Sequence, residues 1–188
     1  MSDVQRGYLS ALILDTRNNV QGARDRLFEA VLDEMRRMAG NLMKHERPGC
    51  LLQPSALVSE AVIRLINGGA LDWADDRRHL FAAVALAMRR TLVDYARKAP
   101  PGFQVELALD EIPASSTARN VDLLALDDAL DELAKIDERR GLVVVLKHFG
   151  GMTIAQIAYT LDVCPATVEG DWRYARAWLY DKLKGDVA

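Results

Sequence analysis

Residues 152–183 read MTIAQIAYTLDVCPATVEGDWRYARAWLYDKL, and their periodicity decides the fold. Ile154, Ile157, Ala158 and Leu161 form one apolar stripe at helical spacing, so a first helix is predicted here. Asp162 and Val163 mark a turn, and Pro165 stands where a first helical residue is tolerated. In the second helix Val168, Trp172, Ala175, Leu179 and Leu183 share a face. That leaves Thr167, Glu169, Gly170, Arg173 and Arg176 outward, where a groove could receive them. Two helices around a tight turn, the second with a polar outer face, is the layout of a DNA-reading helix-turn-helix. An ordinary helical hairpin has the same apolar period and stays open as an alternative on this stretch alone.

The rest of the chain also reads as helical. Leu27, Val31, Met35, Met38 and Leu42 predict a helix over residues 23–44, closed by a turn at Arg47, Pro48 and Gly49. Pro54 and Ser55 open a second helix with Leu57, Ala61 and Leu65 inward, and Asn67, Gly68 and Gly69 stop it. Phe81, Val84, Met88, Leu92 and Tyr95 give a third over residues 78–98. Residues 99–120, rich in proline around a weak alternation of Val105, Leu107 and Leu109, read as a linker. Beyond them, Leu123, Leu126, Leu130 and Leu133 form one helix, and Leu142, Val145, Leu146 and Phe149 another. Gly150 and Gly151 hinge that helix to the helix-turn-helix. The fold class expected is all-α: two small helical domains, residues 1–98 and 121–188, joined by a flexible linker.

With 188 residues, half of them apolar, the chain can bury a core without disulfide or metal support. Cys50 and Cys164 lie far apart with no ligand spacing around them, which fits reduced thiols and no metal site. The apolar run Leu9 to Leu14 is too short for a signal peptide core or a membrane span, so a cytoplasmic protein with no membrane partner is expected. The net charge of −3 conceals two opposed blocks. Residues 77–98 hold six basic side chains against Asp94 alone, whereas residues 99–138 hold ten acids against Arg119 and Lys135. Such asymmetry suits a phosphate-binding surface next to an acidic segment that meets a different partner or shields that surface. No enzyme is expected: His45, His79 and His148 are scattered, and neither a nucleophile elbow nor a phosphate-cradling glycine loop is present. No cofactor is expected either.

Three blocks carry a resemblance that covers about four fifths of the chain. ERPGCLLQPSALVSEAVIRL (46–65), DWADDRRHLFAAVALAMRRTLVDYAR (72–97) and GGMTIAQIAYTLDVCPATVEGDWRYARAWLYDKL (150–183) resemble, in order, the blocks of extracytoplasmic-function (ECF) factors of the sigma-70 family. The similarity is to the subgroup typified by LQPTALV and DWRxARAWL. The resemblance implies that the first domain is sigma region 2-like, binding core RNA polymerase and the minus-10 element, and that the second is region 4-like, binding minus-35 promoter DNA. It places Leu57, Glu60 and Arg64 at the polymerase. Trp73, Arg77, Arg78, Arg89, Arg90, Arg97 and Lys98 fall at the minus-10 strand, where cations meet phosphates and an aromatic ring can stack on a base. Thr167, Glu169, Arg173 and Arg176 fall in the minus-35 groove.

Departures from that pattern shape further expectations. Glu169 and Gly170 stand where basic residues are common, Cys164 replaces a usual serine before the reading helix, and APPGFQVELALDEI (99–112) replaces a basic run. A carboxylate can accept from cytosine N4 but repels phosphates, so weak or selective promoter binding is expected. The helix over 54–66 carries only Glu60 where the family usually has several acids, and Ser55 stands where the subgroup usually has threonine. Phosphorylation of Ser55 by a Ser/Thr kinase would add about −1.5 to −2 charges at a helix start. Capping of that helix by Ser55 is the plainer reading. An anti-sigma protein is the other regulator the resemblance admits. The competing reading of the whole chain is a sigma-like or helix-turn-helix regulator that binds polymerase or DNA without initiating transcription.

Overall fold

The computed structural model describes residues 3–42, 53–69, 76–98, 104–107 and 119–185. The first half consists of α1 (Asp3–Arg17), α2 (Ala23–Leu42), α3 (Pro54–Asn67) and α4 (Arg77–Lys98). Helix α1 is an addition to the sequence reading. Leu9, Leu12 and Ile13 are spaced for one helical face and bury against the core. Helix α3 opens with Pro54 at its first position behind Gln53, whose side chain makes no cap, and stops at Gly68, whose N–H donates to the Arg64 carbonyl at 2.9 Å. Ser55 therefore lies inside the first turn, so the expectation that it caps α3 is corrected.

The second half consists of α5 (Leu123–Ile136), α6 (Glu138–His148), α7 (Ile154–Leu161) and α8 (Pro165–Gly185). Asp137 caps α6, its side chain accepting from the Arg140 N–H at 3.1 Å. Gly150 follows α6 in a tight approach: a Cβ there would lie 2.4 Å from the Leu146 carbonyl oxygen. Thr153 and Gln156 close a reciprocal capping box over the start of α7. Val143, Val144 and Val145, β-branched and consecutive, are helical and buried because α6 is packed on several sides.

Within residues 99–120 the structure adds what the proline-rich pattern hides. β1 (Gln104–Leu107) pairs antiparallel with β2 (Arg119–Asp122), Gln104 opposite Asp122 and Leu107 opposite Arg119. The alternation of Val105 and Leu107 is thus a short strand, and the expected linker carries paired strand at its two described segments. The other elements among the described residues are all helices.

Helix α4 joins the halves. One side packs on α3 and the other on α5 and α6, and the buried apolar residues of both halves form one continuous core. Leu80, Met88 and Leu92 on α4 lie in that core with Leu57, Leu27 and Met35 from the first half and Leu126, Leu130 and Phe149 from the second. Among the described residues, no helix is long and apolar enough to cross a membrane.

Candidate nucleic-acid interface

The helix-turn-helix is present as two helices around a left-handed turn. Asp162 ends α7 at φ 56°, ψ 46°, a conformation that aspartate tolerates better than most residues, and the Val163 N–H bonds the Ala158 carbonyl at 3.0 Å. Val168, Trp172, Ala175 and Leu179 are buried as expected and seat α8 on the bundle. Glu169, Gly170 and Arg173 are exposed on its outer face. Thr167 is half-buried, with its Oγ1 3.1 Å from the Cys164 Sγ, an interaction that lowers the pKa of that exposed thiol. Arg176 corrects the sequence reading. It is buried, with its guanidinium carbon 5.8 Å from the Trp172 ring centroid, because its position one turn after Trp172 turns it toward the bundle.

On α4 the arginines divide. Arg78, Arg90, Arg97 and Lys98 are exposed. Arg89 is buried, which corrects the expectation that it faces a DNA strand. Its Nε donates to Asp127 Oδ1 and its Nη2 to both the Asp127 carbonyl and Asp131 Oδ1, each at 2.7 Å. Its flanks, Ala85 and Val93, are buried one turn away on either side, so position 89 lies on the second apolar face of α4, the one covered by α5. The acidic segment does meet the basic helix, through Asp127 and Asp131 of α5. Asp127 Oδ2 also lies 3.9 Å from Arg97. A cleft of about 740 Å³ opens beside this ion pair, lined by Arg64, Arg78, Arg90 and Arg97 among others. Trp73 lies outside the described residues, as do Cys50 and the side chain of Arg77.

On α3, Glu60 is exposed but Leu57 is wholly buried and Arg64 is paired with Asp94 of α4. Leu57 is therefore core and not presented to a partner as the sequence reading expected, whereas Arg64 is an interhelical tie with 37% of its side chain still exposed. The outward face instead carries Ile63 and Ile66, 52% and 55% exposed, which that reading did not single out. Their signal is an apolar pair three residues apart, off the Leu57, Ala61, Leu65 stripe.

Among the described residues no group of histidine, cysteine, aspartate and glutamate side chains could hold a metal ion. A basic helix, a separate helix with an exposed apolar face and a C-terminal helix-turn-helix thus stand in one chain, and the family model described as ECF sigma factor matches residues 7–185. The chain belongs to the ECF sigma factor family. No curated protein matches it. Membership gives this ECF sigma factor a role in transcription initiation with core RNA polymerase and promoter DNA as partners.

Proposed function

We propose that this chain directs core polymerase to a selective set of promoters, with residues 1–98 and 121–188 as its two working modules. The exposed face of α3, Glu60 with Ile63 and Ile66, seats on the polymerase, since an apolar patch rimmed by polar groups suits a protein partner. Arg78, Arg90, Arg97 and Lys98 of α4 take the phosphates of the minus-10 strand, and Thr167, Glu169 and Arg173 of α8 meet the minus-35 groove. The observation that carries the reading is the exposed basic edge of α4 in the same chain as the helix-turn-helix. A stand-alone DNA-binding regulator has no use for the first. Co-purification tests it: the chain should emerge with core polymerase, and failure to do so would support a DNA-binding regulator instead.

The same reading extends to control. The first turn of α3 has no acidic residue and its cap position makes no side-chain bond, so the unsatisfied N–H groups there would favour a phosphate. Ser55 is exposed in that turn. A Ser/Thr kinase acting on it strengthens polymerase binding, and an anti-sigma protein is the competing mode of restraint. Equal binding of core polymerase by Ser55→Ala and Ser55→Glu would remove the kinase from this account. The specific observation favouring the second reading, a sigma-like regulator that does not initiate, is Glu169 on the exposed reading face.

A further inference from the structure

Helix α8 carries a carboxylate, Asp171, one turn after Thr167, where an element aimed at phosphates ordinarily avoids negative charge. The structure shows what Asp171 does instead. It is only 5% exposed. Arg139 grips both of its oxygens, Nε to Oδ2 at 2.7 Å and Nη2 to Oδ1 at 3.2 Å, and Arg140 Nε lies 3.5 Å from Oδ1. Arg140 is itself fixed twice more, by Asp137 Oδ2 at 3.1 Å and by the Tyr174 ring, 3.9 Å beneath its guanidinium. Two cations from the start of α6 are therefore bound to the second turn of α8.

Arginine has five N–H donors, and Arg139 directs those of Nε and Nη2 at Asp171 while 48% of its side chain stays exposed. A helix lying in a major groove has a phosphate backbone on either side, and a cation on its flank meets that backbone rather than base edges. We propose that Arg139 is a backbone-phosphate contact for duplex DNA, and that Asp171 is the positioning residue that holds it beside the reading helix. This rests on the minus-35 reading above. It accounts for how α8 keeps a grip on DNA with Glu169 and Gly170 at its start, because the anchoring cation comes from the neighbouring helix. Asp171, spent on Arg139 and Arg140, adds no bare negative charge to the groove.

The test uses the full chain, short duplexes enriched by it from a randomised pool together with core polymerase, and a scrambled duplex. Arg139→Gln keeps a donor for Asp171 and removes the charge, and a thermal melt confirms its fold. Its plot of log affinity against log salt should be less steep than native by about 0.9, with equal weakening on both duplexes. Asp171→Asn removes the charge and one of the two oxygens that hold the cation, and the preference for enriched over scrambled duplex should narrow several-fold. Single methylphosphonate substitutions should then reveal one backbone position that matters to the native chain and to neither variant. This last comparison decides the matter through Asp171→Asn if Arg139→Gln melts early. A native salt slope in folded Arg139→Gln, or sensitivity at the same phosphate in Asp171→Asn, overturns the clamp alone. A native chain that never prefers enriched duplex overturns the minus-35 reading and the clamp with it.

Discussion

Arg89 of α4 and Asp127 of α5 form a fork across the two halves of the chain, Nε to Oδ1 at 2.7 Å, with 9% and 15% of their side chains exposed. An arginine from the most basic segment is thereby satisfied by the most acidic one. A strand phosphate reaching Arg89 would have to displace Asp127 and Asp131, so the contact and strand binding compete. Asp127→Ala removes the Nε partner while Arg89 keeps the residue-127 carbonyl and Asp131, so the cost stays below the about 3 kcal/mol of a fully orphaned buried charge, whereas a bond to an exposed group contributes under about 1 kcal/mol. Asp127→Ala should therefore separate the halves, read as a longer distance between fluorophores on α3 and α8, while Asp131→Asn, 64% exposed, should change little. An unchanged distance in Asp127→Ala would mean that apolar packing alone holds α4 against α5.

The His148 imidazole packs edge-on to Phe149, ring centroids 4.8 Å apart, and burial pushes its pKa down to about 4. The unfolded chain binds that proton near pH 6.5, so between those values the unfolded state holds more protons and stability falls as the pH falls. Urea unfolding at pH 7 and pH 5 should differ by about 2 kcal/mol from this residue. In His148→Phe the difference should shrink by that amount. An unchanged difference would place the acid sensitivity elsewhere.

Gly150 joins α6 to the helix-turn-helix where a Cβ would fall 2.4 Å from the Leu146 carbonyl oxygen. Backbone, not a pliant side chain, stands in the way. Gly150→Ala should lower stability by about 1–3 kcal/mol, as overpacking does, seen as a reduced urea midpoint. A midpoint equal to the native one would show that the turn adjusts freely.

Glu169 sits exposed on the outer face of α8. Glu169→Arg should raise affinity for scrambled duplex and steepen the salt dependence by about one phosphate contact, near 0.9 in slope. Unchanged affinity and slope would take Glu169 away from the backbone and remove the reason given for selective binding.

Helices whose apolar residues form a single stripe were legible from spacing: α2, α3, α7 and α8 appear where the period puts them, within two residues at the ends, and α5 runs three residues past Leu133. α1 was hidden because its buried residues Leu9, Leu12 and Ile13 crowd into one short apolar run and no stripe extends over the rest of the helix. β1 and β2 were hidden because each is four residues long and their pairing spans a gap that local periodicity cannot cross. The candidate interface was legible in outline and misread at individual arginines. A periodic stripe tells which residues face one neighbour, and α4 has two. Arg89 lies between Ala85 and Val93 on the second face, so its burial depends on α5, far off in sequence. Arg139 escaped notice for the opposite reason. Its partner Asp171 is thirty-two residues away, and a lone arginine at a helix start looks like any solvated cation.

Run-off transcription with purified core polymerase over a genomic fragment library tests the central claim most directly. The account predicts discrete transcripts that require this chain, share two upstream elements, and disappear when the exposed α4 cations Arg90 and Arg97 are replaced by alanine. Core polymerase that gains no new start sites with the chain bound to it would contradict a role in initiation.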